Sequence, residues 1–135
     1  MIISTRKRIN KPGVVADILR DILTHEDEID RNKEHFWTIG LNSSNVIVYI
    51  ELVSLGLVDK SLVHPRETFR LAIQKGISSI ILAHNHPSDT IIPSGCDKDI
   101  TEWLKKAGDI IGIQILDHVI IGESGYYSFH DEKIL

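Results

Sequence analysis

Two histidines and an aspartate stand at spacings that suit a metal ion. His84, Asn85 and His86 follow the apolar run Ile80-Ile81-Leu82-Ala83, which reads as the end of a buried strand. Residues two apart on a strand point to one face, so both imidazoles project together while Asn85 points away. Two neutral imidazoles held side by side make half of a tetrahedral zinc site. Pro87 cannot extend a strand ladder, so the chain turns there. Asp97 offers a third ligand: it lies three residues before Ile100 and seven before Leu104, on the face of a helix that turns toward the sheet. A carboxylate aimed inward is costly unless it is paired or holds a cation. Two histidines and one aspartate leave a fourth position for water, the pattern of catalytic rather than structural zinc.

Each of these residues also has a plainer reading. Ser94-Gly95-Cys96-Asp97 fits the capping box, with Ser94 as cap and Asp97 reaching back to the backbone. His118 follows Asp117 on a strand and reads either as a partner orienting a metal ligand or as a satisfied strand histidine. Cys96 sits in the first turn of the same helix, where the dipole favours a thiolate, and no function is assigned to it. His25, His35, His64 and His130 lie in polar or terminal contexts and read as solvated surface or caps. Zinc-deaminase chemistry is set aside, because Pro-Cys-x-x-Cys does not occur in a chain with one cysteine. His-Glu-x-x-His is absent too.

The elements that must carry these groups are legible. Pro12 opens a helix whose apolar stripe is Val14, Val15, Ile18, Leu19, Ile22 and Leu23, at helical spacing. Thr24 to Lys33 is polar and reads as a connection. His35 to Leu41 and Val46 to Val53 read as two strands of a hairpin across the turn Asn42-Ser43-Ser44-Asn45. His64-Pro65-Arg66-Glu67 opens a second helix that Gly76 ends. Ser79 to Ala83 is the buried strand, a third helix runs from about Ser94 to Gly108, and Ile113 to Ile121 and Tyr126 to Phe129 complete the strands. The reading is an α/β sandwich around a mixed sheet.

With 135 residues, the chain reads as one domain over residues 11–135 behind an N-terminal extension of residues 1–10. Hydrophobic residues at 42% and charged residues at 25% suit a soluble protein with its own core. The one cysteine excludes an internal disulfide framework and points to a reducing, cytoplasmic setting. No membrane span or secretory leader is expected from the sequence. A net charge of -4, with one basic cluster at Arg6, Lys7 and Arg8, speaks against binding nucleic acid mainly through phosphates.

His84-x-His86, seven residues, Ser94, two residues and Asp97 resemble the JAMM (MPN, JAB1) metalloprotease motif in every spaced position. Three longer stretches are similar to the RadC-like branch of that family: Ser61 to Glu67, Ile81 to Ser88, and Leu116 to Gly122. The resemblance runs from about Pro12 to Phe129. It implies a three-layer-like sandwich around a central mixed sheet, an architecture shared in outline with cytidine deaminases. It also implies a zinc peptidase or isopeptidase with His84, His86 and Asp97 on the metal and Ser94 polarising the oxyanion.

The family places a glutamate at the start of the first strand to activate water, and Glu34, Glu51 and Glu67 compete for that place. Glu34, directly before His35-Phe36-Trp37, takes the carry-over. The loop Asp89-Thr90-Ile91-Ile92 departs from the Gly-Asp-Pro usual there, which leaves the substrate unread beyond a peptide or protein. Two other functions travel with the resemblance: a DNA-repair-associated accessory protein, for which the charge gives little support, and an inactive interaction scaffold. The sequence leaves oligomeric state open.

Overall fold

β-Branched and aromatic residues fill two long stretches separated by a short polar turn, and they pair as a hairpin at the heart of the sheet. In the computed structural model, which describes residues 2, 3 and 5–135, the order is β1 (Ile2–Ile3), α1 (Pro12–Thr24), α2 (Glu28–Arg31), β2 (Glu34–Leu41), β3 (Ile47–Gly56), α3 (Pro65–Lys75), β4 (Ser79–Asn85), α4 (Gly95–Ile111), β5 (Gln114–Ile121) and β6 (Tyr126–Ser128). The strands lie side by side as β1-β3-β2-β4-β5-β6. Only β4 and β5 run parallel, joined by α4 as the crossover; the other pairs are antiparallel.

Both faces of the sheet are covered. On one face Val15, Ala16 and Leu19 of α1 pack on Trp37, Ile39, Ile81, Ala83 and Val119. On the other, Phe69 and Ala72 of α3 with Ile100 and Leu104 of α4 pack on Phe36, Tyr49, Ile80, Leu82 and Ile115. This is the α/β sandwich with a mixed sheet. Burial on two faces explains why β4 reads as a continuous apolar run rather than an alternating one. No helix among the described residues is long and apolar enough to cross a membrane.

Strict alternation is interrupted at two points of the β2–β3 pairing and once in β5, and the β5 interruption sets the face of His118. Between the pairs Ile80↔Ile115 and Ile81↔Asp117, β5 holds one more residue than β4, so the strand bulges. Ile115 and His118, three apart, therefore face the same helical layer.

Several boundaries differ from the sequence reading. The connection from Thr24 to Lys33 contains the short helix α2, capped by Asp27, whose carboxylate accepts the Asp30 N–H at 2.8 Å. Ile2–Ile3 pairs with β3, and Arg8 bridges to Val46. α4 does not stop at Gly108 but runs to Ile111, with Gly112 at φ 78° as the left-handed cap. Gly108 is instead a close-packing position: a Cβ there would collide with the Ile113 carbonyl oxygen and lie 3.2 Å from Cζ of Phe69.

That contact decides the sign of a substitution. Helix propensity favours alanine over glycine by about 1 kcal/mol, but backbone cannot yield to the new methyl. Gly108→Ala is expected to destabilise the fold by about 1–3 kcal/mol, read from the urea unfolding midpoint; a more stable variant would refute the packing role.

Candidate metal centre

The central pairing of β2 with β4 sets Phe36 opposite His84. His84 follows Ile80 and Leu82 on the face toward α4, where it is only 1% exposed. β4 ends at Asn85, and the His86 N–H continues the line by donating to Ile121 O at 2.9 Å. From α4, Asp97 turns inward at the third helical position. Its placement rests on a reciprocal cap: Ser94 Oγ accepts the Asp97 N–H at 3.0 Å, and Asp97 Oδ2 accepts the Ser94 N–H at 2.9 Å.

These three side chains converge. His84 Nε2 and His86 Nε2 are 2.9 Å apart, and Asp97 lies 3.4 Å from the first and 3.1 Å from the second. Tetrahedral ligands with metal bonds of about 2.0–2.1 Å sit about 3.3 Å from one another, so the spacing is of the order that a small metal ion needs. The donor chemistry agrees. Each imidazole turns its Nδ1 away, His84 to His118 Nε2 at 2.7 Å and His86 to the Thr90 carbonyl. The Thr90 oxygen only accepts, so the His86 Nδ1 carries hydrogen and its neutral ring aims a lone pair inward. Three donor atoms packed this closely could hold a cation between them.

The electrostatics follow from the same contacts. Burial alone would push the Asp97 carboxyl up, but the close approach of the His84 and His86 rings, and then the Ser94 N–H, hold it well below the usual carboxylate range. The His86 imidazole is pushed up, first by its hydrogen bond to Asp97 and against burial, with Glu34's charge adding to the effect. Burial, then the neighbouring His84, holds His118 well below the ordinary imidazole range.

Glu34 opens β2, and its position is fixed from β4. Asn85 Nδ2 donates to the Lys33 carbonyl at 3.1 Å, while Asn85 Oδ1 accepts the His35 N–H at 2.6 Å. One carboxamide, between the two histidines in sequence, thus clasps the peptide groups on either side of Glu34. On β2 Glu34 shares the face of Phe36, the partner of His84, and its charge is near enough to act on His86.

The other two carboxylates lie elsewhere. Glu51 pairs across the sheet with Thr38 and Ile2, and burial pushes its carboxyl up. Glu67 meets Arg70 at 3.2 Å on the α3 surface. Ser94 is exposed at the cap and Cys96 exposed beside it.

The remaining histidines divide. His64 caps α3, its Nδ1 accepting the Arg66 N–H at 3.1 Å, while His25 and His130 are exposed. His35 is neither surface nor cap: it is fully buried, stacked on Trp37 and held between the Lys33 carbonyl and Glu26 Oε2. The carboxylate that takes it out of water comes from nine residues upstream, which the local polar context hid. Thr101 was not singled out by the sequence reading, yet its hydroxyl touches His118 Nδ1 at 2.6 Å. Its signal was present: a threonine four residues after Asp97, on the helix face that otherwise buries Ile100 and Leu104.

A profile of the RadC-like JAB domain matches residues 9–134. The chain belongs to the RadC-like JAB family. Similar proteins of this RadC-like JAB domain include the UPF0758 protein of Chlorobaculum tepidum, 46% identical over 106 residues, covering 78% of this chain and 48% of the relative. The UPF0758 protein of Caldanaerobacter subterraneus is 50% identical over 73% of the chain and 46% of its own length. That of Rubrobacter xylanophilus is 42% identical over 96% of the chain and 55% of its own length. The chain thus spans about half the length of these curated relatives.

Two outcomes follow for this RadC-like JAB domain. Asn85→Ala leaves the buried His35 N–H without a partner and is expected to cost about 1–3 kcal/mol, measured by thermal unfolding; an unchanged midpoint would contradict the clasp. A metal entering the centre must also displace the His86 proton. Affinity therefore rises with pH and levels off above the raised His86 value, and falls below it by up to about tenfold per unit. Because that value lies above the ordinary 6.5, zinc titrations across about pH 6 to 8 should show the loss starting nearer neutrality than for a free imidazole.

Proposed function

We propose that the chain is a zinc-dependent hydrolase of amide bonds, acting as a peptidase or isopeptidase on a peptide or protein. The observation that carries this reading is the convergence of His84 Nε2, His86 Nε2 and the Asp97 carboxylate within 4.8 Å of one another. The three residues would hold the ion and leave a ligand position free. A zinc ion bound there supplies Lewis acidity and lowers the pKa of water toward ~7.

The rest is done by the chain's own groups. The Glu34 carboxylate, on the face of β2 that Phe36 shares and near enough for its charge to act on His86, accepts a proton from the attacking water as the water oxygen bonds to the scissile carbonyl carbon. The same proton passes to the amine nitrogen as the carbon–nitrogen bond breaks. Ser94 Oγ already accepts the Asp97 N–H, so its own hydroxyl hydrogen is free to donate to the oxyanion. Capping and catalysis thus use different parts of one hydroxyl.

Glu34→Gln should keep close to one zinc per chain by elemental analysis yet lose cleavage of a peptide library by about 10²–10⁴-fold. Unchanged cleavage would place the base elsewhere. Protein that binds no zinc and is indifferent to a chelator would overturn the hydrolase reading in favour of an interaction scaffold.

A further inference from the structure

The centre's most buried ligand is the end of a chain of hydrogen bonds with one direction. Thr101 Oγ1 lies 2.7 Å from the Asp97 carbonyl oxygen, one helical turn back. It is also 2.6 Å from His118 Nδ1, and His118 Nε2 lies 2.7 Å from His84 Nδ1. Thr101 is 3% exposed, His118 1% and His84 1%, so no bulk water completes these contacts.

The hydrogens can be assigned by counting. A carbonyl oxygen carries none, so the Thr101 hydroxyl hydrogen must occupy the contact with Asp97 O. Thr101 Oγ1 then has only lone pairs to offer, and His118 Nδ1 must donate to it. The neutral His118 ring is left with a bare Nε2, which accepts from His84 Nδ1. His84 Nδ1 therefore carries hydrogen, and in the neutral ring that leaves the Nε2 lone pair facing Asp97 and His86.

We propose that Thr101, acting through His118, is the positioning residue that fixes the tautomer with which His84 meets the metal. The inference rests on the metal reading above for its purpose, but the relay itself is a property of the metal-free chain. The helix carbonyl of Asp97 is the fixed origin: the residue that supplies one ligand also starts the chain that orients another. Two further features build the relay. The bulge in β5 turns His118 toward α4, and Phe129 stacks on its ring with centroids 4.7 Å apart. His86 takes no part, since its Nδ1 is tied to the Thr90 carbonyl.

The test compares wild-type chain, Thr101→Val, Thr101→Ser and His118→Phe, each checked for folding by circular dichroism. Long-range proton–nitrogen correlation on the metal-free proteins reads the His84 and His86 tautomers, and competition with a chelator reads zinc affinity. The wild type should show His84 protonated at Nδ1. Thr101→Val, which keeps the side-chain shape, should lose that preference at His84 but not at His86. It should also weaken zinc binding by about 10- to 100-fold, and Thr101→Ser should restore both.

His118→Phe should weaken zinc at least as much. Adding Thr101→Val to it should cost nothing more, because threonine acts only through histidine. Wild-type His84 protonated at Nε2, an unaltered tautomer in Thr101→Val, or additive losses in the double variant would overturn the proposal. If the wild type binds no zinc, the metal reading falls and the tautomers alone decide the relay. Should Thr101→Val not fold, His118→Phe against Thr101→Ser decides it: equal zinc affinities would refute it.

Discussion

Six residues of β2 pair with six of β4, from Phe36 opposite His84 to Leu41 opposite Ser79, and almost everything at the site descends from that register. It is held by two apolar layers at once, with Trp37 and Ala83 buried under α1 and Phe36 and Leu82 under α3 and α4. A slip by one residue would exchange those layers and turn His84 away from α4, so register and site are specified by the same burial. Asn85 then finishes what the ladder begins. Where the backbone pairing of β2 and β4 runs out, its carboxamide supplies the next two hydrogen bonds and carries the alignment on to Glu34.

The competing explanations of Ser94 and Asp97 turn out to be one explanation. A capping box needs the aspartate's Oδ2 to turn back toward Ser94 N, and that rotamer presents the carboxylate to both histidines. A cap contributes on the order of 1 kcal/mol to the helix, but here its larger effect is to remove the freedom of a ligand. The same economy recurs at Thr101, whose bond to a carbonyl four residues back is ordinary for a threonine in a helix and becomes informative only through what its oxygen touches next.

The sequence was most readable where chemistry and secondary structure share a period. His84 and His86 stand two apart on a strand, and Asp97 shares a helix face with Ile100 and Leu104, so their convergence follows from local geometry. Where a nonlocal event intervened, the reading stopped. The β5 bulge breaks the period of two without a glycine or proline to announce it, so the face of His118 was open to either interpretation. His35 is buried because Glu26 reaches it across α2, and a polar neighbourhood in sequence gave the opposite impression. Gly108 looked like a helix end because glycine is common there; its cause is the Ile113 carbonyl and the Phe69 ring on the facing elements.

The loop after His86 is tied down in a way that bears on entropy. Asp89 adopts φ 64° and accepts the Glu123 N–H, while Gly122 leaves no side chain in the way of Asp89 and Ile91. Arg20 of α1 in turn grips the carbonyls of Gly122 and Gly125 at 3.2 and 2.7 Å. A segment anchored at this many points is a wall rather than a lid. Anything that docks against it loses only its own freedom on binding, since the loop's share of the ordering cost was already met when the chain folded.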